Sequence, residues 1–416
     1  MRILFLSNYY PPHSVGGYEQ WCQEVADELC HRGHEILVLT TRAKKAAGKR
    51  TPNNGVVVKD VLNLEVDQEA GLVKSSIRML KERRRLEEAS LNNLRLQIND
   101  FRPDIAMLWG MWNIPRSVPA LLEQLLPGRI AYYLCDYWPS LPDSYIQRWQ
   151  ENSRISIMSL PKQILARPVL TYLNNKPKHE LELRYPICVS RRLRDLLVQA
   201  GLPVQHAQIV YGGTQIDEFK RVSPGNRDHN GTLKLLYLGR IRPDKGVHTI
   251  IEAVEVTLRN GVHISLDIVG FGNPDYISSL HTLIKSRNLQ SEVSIKPGVP
   301  RSRIPELLSA YNTLVFPSVW EEPFARTVLE AMAAGLAVVG TTTGGTGEIL
   351  IEGQTGLTFP VGDAQALSQQ IIRLARDPGL RMSLATAGQV CVEENFSFVR
   401  MVNELEDAMK GLCTNV

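Results

Sequence analysis

Short runs of consecutive apolar residues alternate along this chain with longer stretches in which apolar residues recur every three or four positions. Runs of the first kind suit strands buried on both faces of a parallel sheet, and stretches of the second kind suit the helices that cover it. Residues 2–7 (RILFLS) predict a first strand. Residues 18–33 (YEQWCQEVADELCHRG) predict a helix with Trp21, Val25 and Leu29 on one face and Gly33 as its stop, and residues 35–41 (EILVLTT) predict the next strand. Such a unit crosses over right-handed and leaves the loop after its first strand at the ligand-binding edge.

Residues 59–101 read as one long, basic, helix-prone region, with Arg78, Lys81, Arg83, Arg84 and Arg85 apart from an apolar side that includes Leu72, Ile77, Leu80, Leu91, Leu94 and Ile98. A charge run of this kind is usually a solvated face, and a basic amphipathic helix also suits an anionic lipid surface or a phosphate-bearing acceptor. PDIAMLWG and RIAYYLCDYWPS predict further core strands, residues 147–185 an insertion, and PICVS, RRLRDLLVQAG and AQIVYGG the close of a first domain. Polar, turn-rich residues 216–231 mark a linker. The alternation then restarts with LKLLYLGRIRPDKGVHTIIEAV and runs through LDIVGFG, VSIKPGV, IPELLSAYN and TLVF to a helix at 364–377. The expected organisation is therefore α/β, with two Rossmann-like doubly wound parallel-sheet domains. An N-terminal domain takes 1–215, the linker 216–231, a C-terminal domain 232–395, and a final amphipathic helix in 396–416 packs back on the first domain.

At 416 residues the chain can hold two domains with full cores. Forty-seven basic against 43 acidic side chains leave a net charge of +4, too mild to imply nucleic acid. The six cysteines show no metal-ligand spacing and no disulfide framework, which fits a reducing, cytoplasmic setting. No apolar run reaches the roughly 18 to 20 residues that span a bilayer, and the N-terminus reads as a strand rather than a signal peptide.

The chemistry concentrates in residues 316–348, FPSVWEEPFARTVLEAMAAGLAVVGTTTGGTGE. Glu322 falls on a loop and Glu330 in the first turns of the following helix, so Glu330 leans back toward that loop. A carboxylate matches the paired hydroxyls of a ribose or sugar, while acid near a helix start can also simply offset the macrodipole. The amides of Phe324, Ala325 and Arg326 lie at the open end of the helix, suited to hydroxyl or phosphate oxygens. Arg240 and Lys245, after the first strand of the second domain, form a candidate diphosphate pocket or two solvated loop charges. Gly16 and Gly17 stand at a helix start where amides can approach an anion, or in an ordinary turn. Asp136 is a candidate acid-base group or a loop cap. With no D-x-D in the sequence, neither a metal nor another cofactor is expected.

The stretch PSVWEEPFARTVLEAMAAGLAVVGTTTGGTGEIL, the GR-x4-KG element from Gly239 to Gly246 and the segment PPHSVGGYEQWCQEVADELCHRGHEILVLTT together resemble the retaining glycosyltransferases of family 4, which have the GT-B fold. The resemblance implies a central cleft between the domains and a nucleotide-sugar co-substrate. It sets Glu322 by the transferred sugar, Glu330 on the ribose, and Arg240 and Lys245 on the leaving diphosphate. It sets Gly16, Gly17, Gly344 and Gly345 near the phosphates, and Gly270 and Gly272 near the nucleobase. The implied reaction moves a hexose from a UDP- or GDP-sugar, such as GDP-mannose, to a glycan or lipid-linked glycan hydroxyl in polysaccharide biosynthesis, with retention. Peripheral contact with an anionic membrane is an accompanying expectation. The family's usual His-Asp pair reads Cys135-Asp136 here, its glycine-containing tetrapeptide reads Pro323-Phe324-Ala325-Arg326, and its Asn-Gly reads Gly212-Gly213. These departures keep open a catalytically silent nucleotide-sugar-binding protein, and the shared fold keeps open a GT-B sugar epimerase or phosphorylase.

Overall fold

The computed structural model describes residues 1–13, 16–41, 55–65, 72–150, 166–167, 169–171, 179–220 and 232–414, with side chains for all of these except 72–81, 145 and 148. The chain divides into two compact units. The first takes Met1–Val189, Leu193–Val210 and the chain from Val402 onward, and the second takes Ser190–Arg192 and Tyr211–Met401. The second therefore begins earlier than the expected boundary at 216. Residues 216–220 of the expected linker form a helical turn, Ile216–Lys220, and 221–231 lie outside the described residues.

In the first unit seven strands pair in the order β3-β2-β1-β4-β5-β6-β7, all parallel. They are β1 (Arg2–Leu6), β2 (Glu35–Thr41), β3 (Val57–Leu62), β4 (Ile105–Leu108), β5 (Ile130–Leu134), β6 (Pro186–Cys188) and β7 (Gln208–Ile209). β1 lies at the centre because Ile3, Leu4, Phe5 and Leu6 are all fully buried. Residues 59–62 belong to β3 rather than to a helix. The β-branched Val57, Val58 and Val61 suit an edge strand on β2, and the described helix is Leu72–Phe101. Nor is Arg83 solvated, for it pairs with Glu65 and Asp143 at 3.1 and 2.7 Å. Arg84 and Arg85 are exposed, whereas Arg78 and Lys81 fall where side chains are not described. Most of the expected insertion at 147–185 likewise lies outside the described residues.

Six strands form the second sheet, in the order β10-β9-β8-β11-β12-β13, again all parallel. These are β8 (Leu233–Leu238), β9 (Ile264–Gly270), β10 (Val293–Pro297), β11 (Thr313–Phe316), β12 (Ala337–Gly340) and β13 (Leu357–Thr358). Its core joins Leu235, Ile250, Ile268, Val339 and Leu367, all 0% exposed, from strands and flanking helices. In each sheet the strand order reverses beside the first strand, between β1 and β4 and between β8 and β11. A doubly wound sheet binds ligands outside the carboxyl ends of strands at that reversal. No helix among the described residues is long and apolar enough to cross a membrane.

Candidate active site

In the second unit, the loops leaving β8 and β11 meet at the reversal point. β8 gives way to Gly239, and Pro243–Lys245 make one tight turn closed by Gly246 at φ +66°. A Cβ at Gly246 would lie 2.1 Å from the Pro317 carbonyl oxygen, so only glycine lets the Lys245 turn seat against the exit of β11. Asp244 accepts from the amides of Val319 and Trp320, each at 3.0 Å, which locks the two loops together. Lys245, 8% exposed, pairs with Glu322 Oε1. Ser318 Oγ donates to that same oxygen at 2.8 Å. The Arg240 guanidinium is exposed and makes no hydrogen bond or ion pair among the described residues, while its carbonyl accepts from the Tyr237 hydroxyl at 2.6 Å.

Glu330, 2% exposed, sits in the helix Arg326–Ala333 and is held by other cations. Arg326 Nε donates to Glu330 Oε1 at 2.8 Å, and Arg301, from the loop after β10, pairs with the same atom. Burial alone would push this carboxyl up, but the two guanidinium groups outweigh it and hold Glu330 below the usual carboxylate range. Glu322 and Glu330 thus share a design: each commits Oε1 to protein donors, and no protein hydrogen bond falls on either Oε2 among the described residues.

Several expected donors are already spent. The Arg326 amide donates to Phe324 O at 3.1 Å, which leaves the amides of Phe324 and Ala325 without a protein acceptor among the described residues. Ala325 takes φ −86° and ψ 87°, a conformation open to any residue, so the missing glycine costs nothing in backbone strain. Phe324 is 7% exposed and stacks on Tyr211 at 5.5 Å between ring centroids, which makes its side chain structural. Gly344 gives its amide to Glu321 Oε2 and Gly345 to Glu322 O, each at 2.7 Å, so neither amide is left for a phosphate. Gly344, at φ +59°, rides on the Glu322 backbone, where a Cβ would approach to 2.0 Å. Gly270 and Gly272 are likewise packing glycines, since side chains there would strike Gly239 O at 1.8 Å and Ile241 O at 2.0 Å.

In the first unit, Gly16 and Gly17 precede the helix Tyr18–His31. The Gly16 amide donates to Glu19 Oε2 at 2.9 Å and is therefore committed as well. Tyr18 donates to Asn8 Oδ1 at 2.8 Å, and its ring occupies the space that a Cβ on Gly110 would need, 2.2 Å away. Asp136 Oδ1 accepts from the Trp138 amide at 2.9 Å, the loop cap that its position suggested. Burial and the nearby Glu19 nevertheless push Asp136 up to about 7 against that hydrogen bond. Burial also pushes the Cys135 thiol up, away from a nucleophilic thiolate.

Glu19, Arg301 and Ser318 were not singled out in the sequence, and Glu321 was placed on the loop beside Glu322 without a role. Glu19 carried the one available signal, a carboxylate two residues after the Gly16-Gly17 pair.

Residues 219–390 match the model of a family described as glycosyl transferases group 1. That match covers less than half of the chain and lies within the second unit. The chain is 26% identical to the capsular polysaccharide biosynthesis glycosyltransferase CapM of Staphylococcus aureus, over 53% of its own length and 60% of CapM. It is 24% identical to a glycogen synthase of Mycobacterium tuberculosis over 96% of this chain and 92% of that protein. Among solved structures it resembles Anabaena HepE in complex with UDP-glucose, with 19% identity, a TM-score of 0.68, and coverage of 99% of this chain and 100% of that one. A glycosyltransferase from Rickettsia africae gives 19% identity and a TM-score of 0.73 over 100% and 99% of the two chains. The architecture of two Rossmann-like parallel-sheet domains is the GT-B fold.

Proposed function

We propose that this group 1 glycosyltransferase moves a hexose-type sugar from a UDP- or GDP-sugar to the hydroxyl of a glycan or lipid-linked glycan, with retention of configuration. The observation that carries the reading is the pair of carboxylates in the second unit whose Oε2 atoms have no protein hydrogen bond among the described residues, in the unit that also holds Lys245 and Arg240. Glu330 Oε2 accepts from the ribose hydroxyls, a charge-assisted bond that its two arginines keep available by keeping it ionised. Glu322 Oε2 accepts from a hydroxyl of the transferred sugar.

When the anomeric bond breaks, negative charge grows on the departing diphosphate. Arg240, which has no competing acceptor among the described residues, and Lys245 meet it there. Two cations perform the neutralisation a metal would otherwise supply. A front-face route, in which the leaving phosphate oxygen takes the acceptor's proton, suits this arrangement, and Asp136 in the first unit is suited to orient an acceptor hydroxyl. Capsule and glycogen relatives support a polysaccharide acceptor. The exposed Arg84 and Arg85 suit an anionic lipid surface, and six cysteines outside any disulfide among the described residues suit a cytoplasmic location at its inner face.

The test is a thermal-shift panel of UDP-glucose, GDP-mannose and ADP-glucose, followed by nucleoside diphosphate release with and without polysaccharide acceptors. Stabilisation by a UDP- or GDP-sugar with acceptor-dependent release supports the reading. Stabilisation by none of the three, or binding without release on any acceptor, overturns it.

A further inference from the structure

Glu322 has a second partner, which a donor would not disturb. Ser318 is 1% exposed, and its hydroxyl reaches Glu322 Oε1 at 2.8 Å, the oxygen that also pairs with Lys245. The hydroxyl's other acceptor, Trp320 O, is more distant at 3.3 Å. Ser318 is itself held from β12: Thr341 Oγ1 donates to its carbonyl at 2.7 Å and Thr343 Oγ1 at 3.3 Å. Its place is therefore set by two strand ends of the sheet rather than by a mobile loop.

We propose that Ser318 is a positioning residue that holds Glu322 in register once Lys245 engages the diphosphate of the donor. The proposal rests on the donor reading above. Lys245 is a point charge on a flexible stem, and two phosphate charges compete with one carboxylate for it. As Lys245 moves toward them, Glu322 loses its one ionic partner among the described residues. The neutral hydrogen bond from Ser318 involves no donor charge and persists, so Oε1 stays anchored and Oε2 stays turned to the sugar. Without the hydroxyl, Glu322 is loose only in the donor-bound enzyme. The loss then falls on turnover rather than on donor capture, which Glu330, Arg240 and Lys245 still perform.

Ser318→Ala, Ser318→Cys, Ser318→Thr and Glu322→Gln are compared by nucleoside diphosphate release from UDP-glucose, GDP-mannose and ADP-glucose, and by calorimetric binding of UDP, GDP and ADP. The expected result is a fall in kcat of about 10- to 100-fold for Ala and Cys, the range for a hydrogen bond to a charged group. KM and nucleotide affinity should stay within about 3-fold, and Thr, which keeps the hydroxyl, should recover most of the rate. An Ala variant with unchanged kcat, a parallel loss of nucleotide affinity, or a Thr variant no better than Ala would overturn the role of Ser318. The donor reading fails separately, and the Ser318 role with it, if Glu322→Gln turns over as fast as the parent or if the parent releases nothing from any of the three sugars. If Glu322→Gln is inactive and Ser318→Ala is fully active, only the Ser318 role fails.

Discussion

Lys245 and Glu322 form an ion pair that joins the loop leaving β8 to the loop leaving β11, at the point where the strand order of the second sheet reverses. The two side chains are 10% and 14% exposed, so the pair is poorly screened by solvent. Lys245→Ala should lower the rate of sugar transfer more than 100-fold by removing charge stabilisation of the leaving group. It should also cost about 1–3 kcal/mol of stability, because Glu322 keeps only the Ser318 hydroxyl. Nucleoside diphosphate release and a denaturant titration of the same variant measure the two effects, and unchanged turnover would remove Lys245 from the chemistry.

Glu330 predicts a different kinetic signature. Glu330→Gln retains the shape but loses the charge that Arg301 and Arg326 face. Donor KM should rise at least 10-fold, the equivalent of about 1.4 kcal/mol, with a smaller change in kcat. A KM equal to that of the parent would remove the ribose assignment.

Asp136 predicts a pH dependence. With its carboxyl pushed up to about 7, it becomes an anion only above neutrality, so a rate that needs the anion should rise through pH 7 and level off above it. In Asp136→Asn that limb should vanish. The folded chain holds this proton where the unfolded chain has released it, so the residue should also make stability fall as pH climbs from the ordinary carboxylate range to about 7. Thermal melts from pH 4 to 8 on parent and variant check the sign, which would be opposite for a carboxylate stabilised by an ion pair.

Glu406 supplies that opposite case. In the first unit it accepts from Arg32 at 2.7 Å and lies 3.1 Å from His34 Nε2, tying the last helix, Phe398–Thr414, to the first helix and β2. Burial works to push its carboxyl up, but bonds from Lys410, Arg32 and His34 win and lower it to about 2. Its stabilisation is present above the ordinary glutamate range and fades as pH falls toward 2. Glu406→Gln should cost about 1–3 kcal/mol at pH 7 and much less at pH 2–3, by denaturant titration at both pH values.

Gly270→Ala should be more damaging than an ordinary surface change, because the new methyl would meet Gly239 O at 1.8 Å and separate the ends of β8 and β9. A loss of about 2–4 kcal/mol is expected, together with displacement of Arg240 and weaker nucleotide binding. Gly261→Ala, where nothing lies within 4 Å of the added carbon but φ is +72°, is a control for backbone strain alone, about 1 kcal/mol.

The alternation of apolar runs and helical periodicity was enough to call for two parallel-sheet units, since burial on both faces of a strand leaves no polar positions to confuse the pattern. β3 was missed because an edge strand is half exposed, and its Lys59 and Asp60 read with the basic helix that follows. Glu330 and Lys245 could be named as candidates because spacing along a helix or a tight turn is a local property. The expected free amides of Arg326, Gly344 and Gly345 proved to be spent, because their acceptors come from folded turns whose closure depends on tertiary contact.

By itself the sequence determined the fold class, the order of the two sheets and the identity of the charged side chains after β8 and β11. Only the tertiary structure decided which oxygen of each glutamate is engaged. Arg301 lies 29 residues before Glu330, and Ser318 and Lys245 reach Glu322 from separate strand ends. Local periodicity records which face of an element is buried. It carries no information about which distant loop arrives to satisfy a buried charge, because that depends on how β-strands far apart in the chain are stacked side by side in one sheet.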